Sequence, residues 1–210
     1  TAFVAAGGAA TAGSPPAARA GPAPTGSGAT TASRAEPGRG GPGAPADREG
    51  SAAGGAALER ALALAARVRA QGGTVVATGG CFDLLHAGHV ATLRSARALG
   101  DCLLVCLNSD DSVRRLKGPE RPLVPEADRI AVLEALDCVD VVVPFDERTP
   151  EALLARLRPD VFAKGGDYTL ADLPEAARVA AWGGQAVVLP YLEGRSTTKL
   201  IKEVARRDNR

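Results

Sequence analysis

Short apolar runs alternate with longer amphipathic stretches from about residue 56 to the end of the chain. The runs are rich in valine and leucine and are bounded by glycine, proline or acidic residues, which is typical of strands buried in a parallel sheet. The stretches between them repeat apolar residues at helical spacing. The pattern predicts strands over 74–80, 101–110, 137–145, 160–168 and 185–191, and helices over 56–73, 86–100, 112–118, 126–136, 149–159, 173–184 and 196–207.

This alternation of strand and helix predicts an α/β fold. Repeated βαβ units give a Rossmann-like, doubly wound sheet of about five parallel strands with helices on both faces. Crossovers in such a sheet are right-handed, and ligands bind at the carboxyl ends of the strands, where the winding reverses. A functional site is therefore expected just after a strand, near the middle of the sheet.

The first part of the chain has a different composition. Residues 1–55 are almost entirely alanine, glycine, proline, serine and threonine, with no helical or strand period. Such a segment cannot bury enough apolar surface to offset chain entropy, so we expect a disordered linker or tail. The chain contains no methionine, even at position 1, which suggests a processed protein or the end of a longer one. The folded domain is then expected over 56–210.

Charge and cysteine content exclude several classes of protein. Basic and acidic residues are equal in number over 56–210, so we expect no nucleic-acid-binding face. The sequence has neither the long apolar run of a membrane helix nor a signal peptide, so no membrane partner is expected. Its four cysteines form no CxxC pair. Buried free thiols in a reducing cytoplasm are the favoured interpretation.

The stretch GGCFDLLHAGHVATL, residues 79–93, holds both histidines of the chain. Gly79 and Gly80 follow the first predicted strand and allow a sharp turn with a ligand close to the backbone. His86 and His89 then fall at the start of a helix, three residues apart and on one side. A helix N-terminus attracts anions. The arrangement predicts that the two imidazoles donate to a phosphate.

Two other interpretations of these histidines stay open. Either imidazole alone is more often structural, capping the helix or bonded in the core. Zinc would need three or four ligands, and no third ligand is evident nearby.

The same stretch resembles the HxGH signature of the cytidylyltransferase-like nucleotidyltransferases. GRSTTKLI, residues 194–201, resembles the second motif of that family, a Ser/Thr-rich turn that opens the last helix. Many members carry an arginine upstream of this turn, which YLEGRSTT lacks. The stretches 107–136, 142–168 and 194–201 are closer to one branch, the adenylyltransferase domain for D-glycero-β-D-manno-heptose 1-phosphate. That domain is commonly fused behind a ribokinase-type sugar kinase.

The resemblance implies a reaction and its residues. ATP and a sugar 1-phosphate would give an ADP-sugar and pyrophosphate, with Mg²⁺ carried by the ATP phosphates and no firm metal ligand from the protein. The catalytic residues implied are His86, His89 and Lys117. The nucleotide-binding residues implied are Gly80, Cys81, Phe82, His86, His89, Arg195, Ser196, Thr197 and Thr198. The substrate-binding residues implied are Asp83, Asp110, Lys164 and Asp167.

Two alternatives to this function stay open at this point. One is a cytidylyltransferase for glycerol 3-phosphate or a related polyol phosphate, since the phosphate-binding motifs are shared. The other is a non-catalytic nucleotide-binding protein that keeps the fold. The resemblance also implies a cytoplasmic homodimer, fused to or paired with a sugar kinase.

Overall fold

A single parallel sheet with helices on both faces forms the core of the protein. The computed structural model describes residues 47–166, 169 and 173–190. Its strands are β1 (Val75–Gly80), β2 (Cys102–Asn108), β3 (Val141–Phe145), β4 (Val161–Gly165) and β5 (Gln185–Leu189). Its helices are α1 (Asp47–Ala70), α2 (Ala87–Arg97), α3 (Asp110–Lys117), α4 (Glu126–Glu134), α5 (Glu151–Leu157) and α6 (Pro174–Ala180).

The strands run in the order β3-β2-β1-β4-β5, and every pairing is parallel. All seven residues of β2 are buried, as expected for a strand with helices on both faces. The predicted sheet of five parallel strands is confirmed. Several predicted strands are shorter in the structure; β3 starts at Val141 because a turn precedes it, in which the Val139 N–H donates to the Leu136 carbonyl.

The two faces of the sheet have separate apolar cores. On one face, α1, α5 and α6 pack through Ala61, Ala65, Leu154, Leu157 and Val179. On the other, α2 and α4 pack through Leu93, Ala96 and Leu133. The fold is therefore doubly wound, as predicted. The winding reverses between β1 and β4, and a ligand cleft is expected at the carboxyl ends of these two strands.

Close packing brings the end of β4 against the start of α2. A Cβ atom at Gly165 would lie 2.5 Å from Cγ2 of Thr92, so only glycine fits. Thr92 is held in turn, because its hydroxyl donates to the Gly88 carbonyl at 3.1 Å. The rim beyond β4 and the first turn of α2 therefore border the same cleft.

The first helix begins earlier than predicted. α1 starts at Asp47 rather than residue 56, inside the segment assigned to the linker. Alanine has the highest helix propensity of all residues, and here the alanine-rich stretch extends a helix that is anchored on the sheet. The rest of the predicted linker, residues 1–46, and the predicted helix over 196–207 lie outside the described residues. In the described part, the structure contains no helix long and apolar enough to span a membrane.

Candidate functional site

A tight turn leads from β1 to the histidines. Phe82 has a positive φ of 44°, a conformation that costs energy for a bulky residue and is most often found at functional sites. Its buried ring folds back so far that a Cβ at Gly80 would lie 3.2 Å from Cε2. The same ring packs against His89, with 5.4 Å between centroids. Gly80 and Phe82 therefore shape the backbone that the sequence predicts to pass beside a phosphate.

The two histidines cap α2 in a reciprocal pair. His86 is the N-cap residue, and its Nδ1 accepts from the Gly88 N–H at 3.1 Å. His89 Nδ1 accepts from the His86 N–H at 3.4 Å. Their rings stack with centroids 3.9 Å apart and planes 24° apart. The prediction that both imidazoles lie on one side is confirmed, and the capping interpretation also holds.

Capping fixes the tautomer of both rings. An imidazole nitrogen that accepts a hydrogen bond carries no proton, so the proton of each ring is on Nε2. Burial, with smaller effects of His86 and Lys117, lowers the pKa of His89 to about 4. His89 is thus neutral at pH 7. The capping directs Nε2 of each ring away from the helix backbone, and His89 also takes part in a backbone hydrogen bond with Leu84, which partly opposes the lowering of its pKa.

Lys117 lies close enough to His89 for its charge to lower the pKa of that imidazole. It is the last residue of α3 and is exposed, and it lies within the helix predicted over 112–118. Among the described residues it forms no ion pair. The structure therefore brings the three predicted catalytic residues together at one end of the sheet.

Asp83 does not fit the predicted substrate-binding role. Its side chain is 1% exposed and forms an ion pair with Arg121. Its Oδ1 accepts from the N–H groups of Leu123 at 2.8 Å and Val124 at 3.0 Å. The carboxylate is covered by the loop after α3, so no surface remains for a substrate hydroxyl in this conformation.

Arg129 is a central residue of the site that the sequence interpretation did not assign. Its side chain is fully buried and donates to the carbonyls of Cys81 at 2.6 Å, Asn108 at 2.8 Å and Val124 at 3.0 Å. It also donates to Oδ1 of Asp110 at 2.7 Å. Arg129 thereby ties together the ends of β1 and β2, the start of α3 and the loop before α4.

Helical spacing in the sequence does indicate that Arg129 lies on the buried face of α4. Arg129 precedes the buried Leu133 by four positions, which places both on the same face of a helix. No local pattern, by contrast, pointed to Arg121.

Asp110 and Lys164, both predicted to bind substrate, have protein partners here. Asp110 is the first residue of α3 and its side chain is 30% exposed beside Arg129. Lys164 Nζ lies 3.2 Å from Oε1 of the buried Glu175 and above the ring of Phe162. Lys164 thus points towards the face covered by α6, away from α2. Asp110 keeps an accessible side, whereas Lys164 is tied to a carboxylate.

The remaining predicted residues, Asp167, Arg195, Ser196, Thr197 and Thr198, lie outside the described part of the chain. Among the residues that the structure places, no group of three histidine, cysteine or carboxylate side chains is arranged to hold a metal ion.

A cavity of about 1090 Å³ opens at the ends of β2 and β3. It is lined by Asp110, Glu126, Asp146 and their neighbours, and neither histidine borders it. It adjoins the histidine site through Asp110 only.

Comparisons with known proteins identify the family of this chain. The model of the cytidylyltransferase-like family matches residues 77–203. The bifunctional protein HldE of Streptomyces coelicolor is 63% identical over 170 residues, which cover 73% of this chain and 37% of that protein. HldE of Koribacter versatilis is 52% identical over 142 residues, covering 68% of this chain and 29% of the relative.

The chain therefore spans well under half the length of these curated relatives. A solved structure, that of the lipopolysaccharide core biosynthesis protein from Thermoplasma volcanium GSS1, matches with a TM-score of 0.47 and 26% identity over 57% of this chain and 97% of its own. The family match covers more than half of the sequence and includes both histidines, most of β1 and all of β2 to β5. The chain belongs to the cytidylyltransferase-like family of nucleotidyltransferases.

Proposed function

We propose that this chain transfers AMP from ATP to D-glycero-β-D-manno-heptose 1-phosphate, with release of pyrophosphate. One observation carries the proposal: two imidazoles, each bonded to the helix backbone through Nδ1, lie together at the sheet's switch point, in a chain that is 63% identical over 170 residues to a bifunctional HldE protein. The choice of a heptose phosphate rests on the three stretches that resemble the heptose branch. A sugar kinase, fused to this chain or separate, would supply the sugar 1-phosphate.

The reaction needs positioning and charge more than it needs a protein nucleophile. An oxygen of the sugar phosphate, already an anion, attacks the α-phosphorus of ATP in line. The bond from the α-phosphorus to the bridging oxygen breaks, and pyrophosphate leaves with its electron pair. Mg²⁺ enters on the ATP phosphates. Fixed donors stabilise the charge that builds up on the phosphoryl oxygens.

His86 and His89 supply such donors. Because each ring already bonds the helix backbone through Nδ1, its Nε2–H needs no reorientation when the triphosphate arrives. Lys117 adds a positive charge at the same place. The backbone from Gly80 to Phe82 is proposed to pass beside the α-phosphate, since glycine permits close approach.

Further contacts are proposed for residues that the structure does not describe or does not test. Arg195, Ser196, Thr197 and Thr198 are proposed to hold the β- and γ-phosphates. Asp110, Lys164 and Asp167 are proposed to contact the sugar phosphate, which for Lys164 requires it to leave Glu175. A cytoplasmic homodimer is part of the same proposal.

A pyrophosphate-release panel tests the substrates. Purified chain is mixed with ATP or CTP and with heptose 1-phosphate, glucose 1-phosphate or glycerol 3-phosphate. The proposal expects release only with ATP and the heptose phosphate. Release with CTP and glycerol 3-phosphate would favour the polyol alternative, and ATP binding without release from any mixture would favour a non-catalytic protein.

Replacing the histidines by asparagine separates donation from capping. Asparagine is a good N-cap residue, so His86→Asn should keep the start of α2 while it removes the Nε2–H donor. We expect turnover to fall by about 10²–10³-fold, the usual effect of losing one such donor. His89→Asn should behave likewise, and Arg94→Ala, exposed on the same helix, is the control. Near-normal turnover in either asparagine variant would contradict the phosphate-ligand role.

A further inference from the structure

Asp83 is buried at the point where the histidine segment meets another part of the chain. Three different groups of residues 121–124 reach its carboxylate: Arg121 Nε at 2.5 Å, and the N–H groups of Leu123 and Val124. Arg121 itself is only 15% exposed. Two backbone donors and a buried guanidinium hold this loop on Asp83, so the charge of the carboxylate is neutralised within the protein.

The loop held by Asp83 is the direct continuation of Lys117. Gly118 ends α3 with a φ of 98° and donates to the Arg114 carbonyl at 2.9 Å. The Arg121 N–H then donates to the Gly118 carbonyl at 3.2 Å. Only four positions separate Lys117 from Arg121, and hydrogen bonds span them. The position of Lys117 therefore depends on where Arg121 is held.

The other end of α3 is also fixed. Asp110 binds Arg129 at 2.7 Å, and the Ser112 hydroxyl donates to the Glu147 carbonyl at 2.7 Å. Because this helix has only eight residues and its start is anchored, its last turn is the part whose position is still to be fixed. Asp83 is the anchor of that last turn.

Asp83 and His86 belong to the same short segment, three residues apart. A contact that fixes the 118–124 loop on Asp83 therefore fixes it relative to the imidazoles. The influence of Lys117 on the pKa of His89 is consistent with this arrangement.

We propose that Asp83 and Arg121 position Lys117 for catalysis by locking the 118–124 loop to the histidine segment. Asp83 is thus a positioning residue that touches no substrate. The proposal rests on the proposed function, because Lys117 acts there on the phosphates. Misplacement of a catalytic group by about 1 Å can cost about a hundredfold in rate.

A kinetic double-mutant cycle tests the proposal. Asp83→Asn keeps an oxygen for the two backbone donors and removes the charge that Arg121 binds. We expect it to lower kcat by about tenfold to a hundredfold, with a smaller change in the KM for the sugar phosphate. Lys117→Ala should lower kcat at least as much. The double variant should be no slower than Lys117→Ala alone, because the position of residue 117 no longer affects the rate once its amino group has been removed.

The matched control is Asp111→Asn, an exposed carboxylate on α3 whose partner among the described residues is Arg114. It should leave kcat unchanged. Losses that multiply in the double variant would show that Asp83 acts independently of Lys117 and would overturn the proposal. Normal kcat in Asp83→Asn, or in Lys117→Ala, would overturn it as well, while pyrophosphate release by the unaltered chain would still support the proposed function.

A second measurement does not need activity. The chain has two histidines, so NMR titration of the imidazoles can follow His89 directly. Lys117→Ala should raise its pKa, because one of the charges that lowers it is removed. In the Asp83→Asn background, Lys117→Ala should raise the pKa of His89 by less than it does in the unaltered chain, because the lysine is already displaced. An equal shift in both backgrounds would overturn the positioning role even if no substrate were found.

Discussion

Replacing the buried Arg129 by methionine should be the most destabilising of the substitutions considered for this site. Methionine keeps an unbranched apolar stem in the same space and removes every donor. Arg129 donates to three carbonyls and one carboxylate, and its side chain is 0% exposed. Without it, acceptors at the ends of two strands lose their partner in the interior of the protein.

The expected loss of unfolding free energy depends on which of these four acceptors water can reach. Asp110 is 30% exposed and Cys81 is half-buried, so water can replace part of what they lose. Asn108 is 5% exposed and its carbonyl stays unpaired. Breaking a buried charged interaction by removing one partner costs about 3–5 kcal/mol. A domain of this size typically has about 5–15 kcal/mol of stability, so Arg129→Met should fold but be marginally stable.

Urea unfolding provides the assay. The single tryptophan, Trp182, bonds the Pro159 carbonyl at 3.0 Å and lies between α6 and β5, remote from Arg129 in sequence. Its fluorescence reports global unfolding, with circular dichroism as a second probe. A loss of about 3–5 kcal/mol should lower Tm by about 6–20 °C for a chain of this length. Arg114→Met, a control on the surface of α3, should leave the urea midpoint unchanged.

The reasoning would be refuted by a loss below about 1 kcal/mol for Arg129→Met with coincident transitions. Such a result would mean that the strand ends do not depend on the guanidinium. A larger loss than expected would instead indicate that the unpaired Asn108 carbonyl disrupts β2.

Two further predictions follow from burial. The pKa of His89 is about 4 in the folded chain and 6.5 normally. As the pH falls, the imidazole of the unfolded chain therefore binds a proton at a higher pH than the imidazole of the folded chain. The stability that neutral His89 contributes is complete above pH 6.5 and is lost as the pH falls towards 4. The urea midpoints at pH 7 and pH 5 should therefore differ less in His89→Asn than in the unaltered chain. Burial raises the pKa of the Cys106 thiol to about 12 and also raises those of Cys102 and Cys138. In the native protein at pH 8, Ellman's reagent should thus modify one thiol rapidly, and Cys81→Ser should abolish that phase; a fast phase that survives in this variant would contradict the burial argument.

The fold was predictable because apolar runs and helical spacing are local signals. Each of the five strands lies within its predicted range, since a run such as CLLVCLN at 102–108 leaves few other structures possible. The order of the strands, by contrast, could not be predicted from local patterns. Whether β1 pairs with β4 depends on contacts between residues that are far apart in the chain, such as Thr78 and Ala163, and no local pattern encodes them.

The same distinction explains the outcome for the site. HxGH is local, and helical spacing was enough to predict that both imidazoles lie on one side. Asp83 was assigned to substrate because its partners, Arg121 and two backbone N–H groups, lie about forty positions later in the chain. A buried charge satisfied by a distant loop and a charge that awaits a ligand look alike in sequence.

The division of charge at the site explains why histidine is used to cap α2. Serine or asparagine would cap the helix equally well, but serine has no side-chain N–H and asparagine carries its N–H groups beside the capping oxygen, whereas imidazole carries an N–H across the ring from the capping nitrogen. Asp83 pairs with Arg121 and Asp110 pairs with Arg129, so Lys117 is the cation near the histidines that forms no ion pair within the described part of the chain. Donors that are fixed in advance need no rearrangement on binding, and one lysine at a helix end then adds positive charge. The position of that lysine, rather than the number of cations, is what the surrounding ion pairs determine.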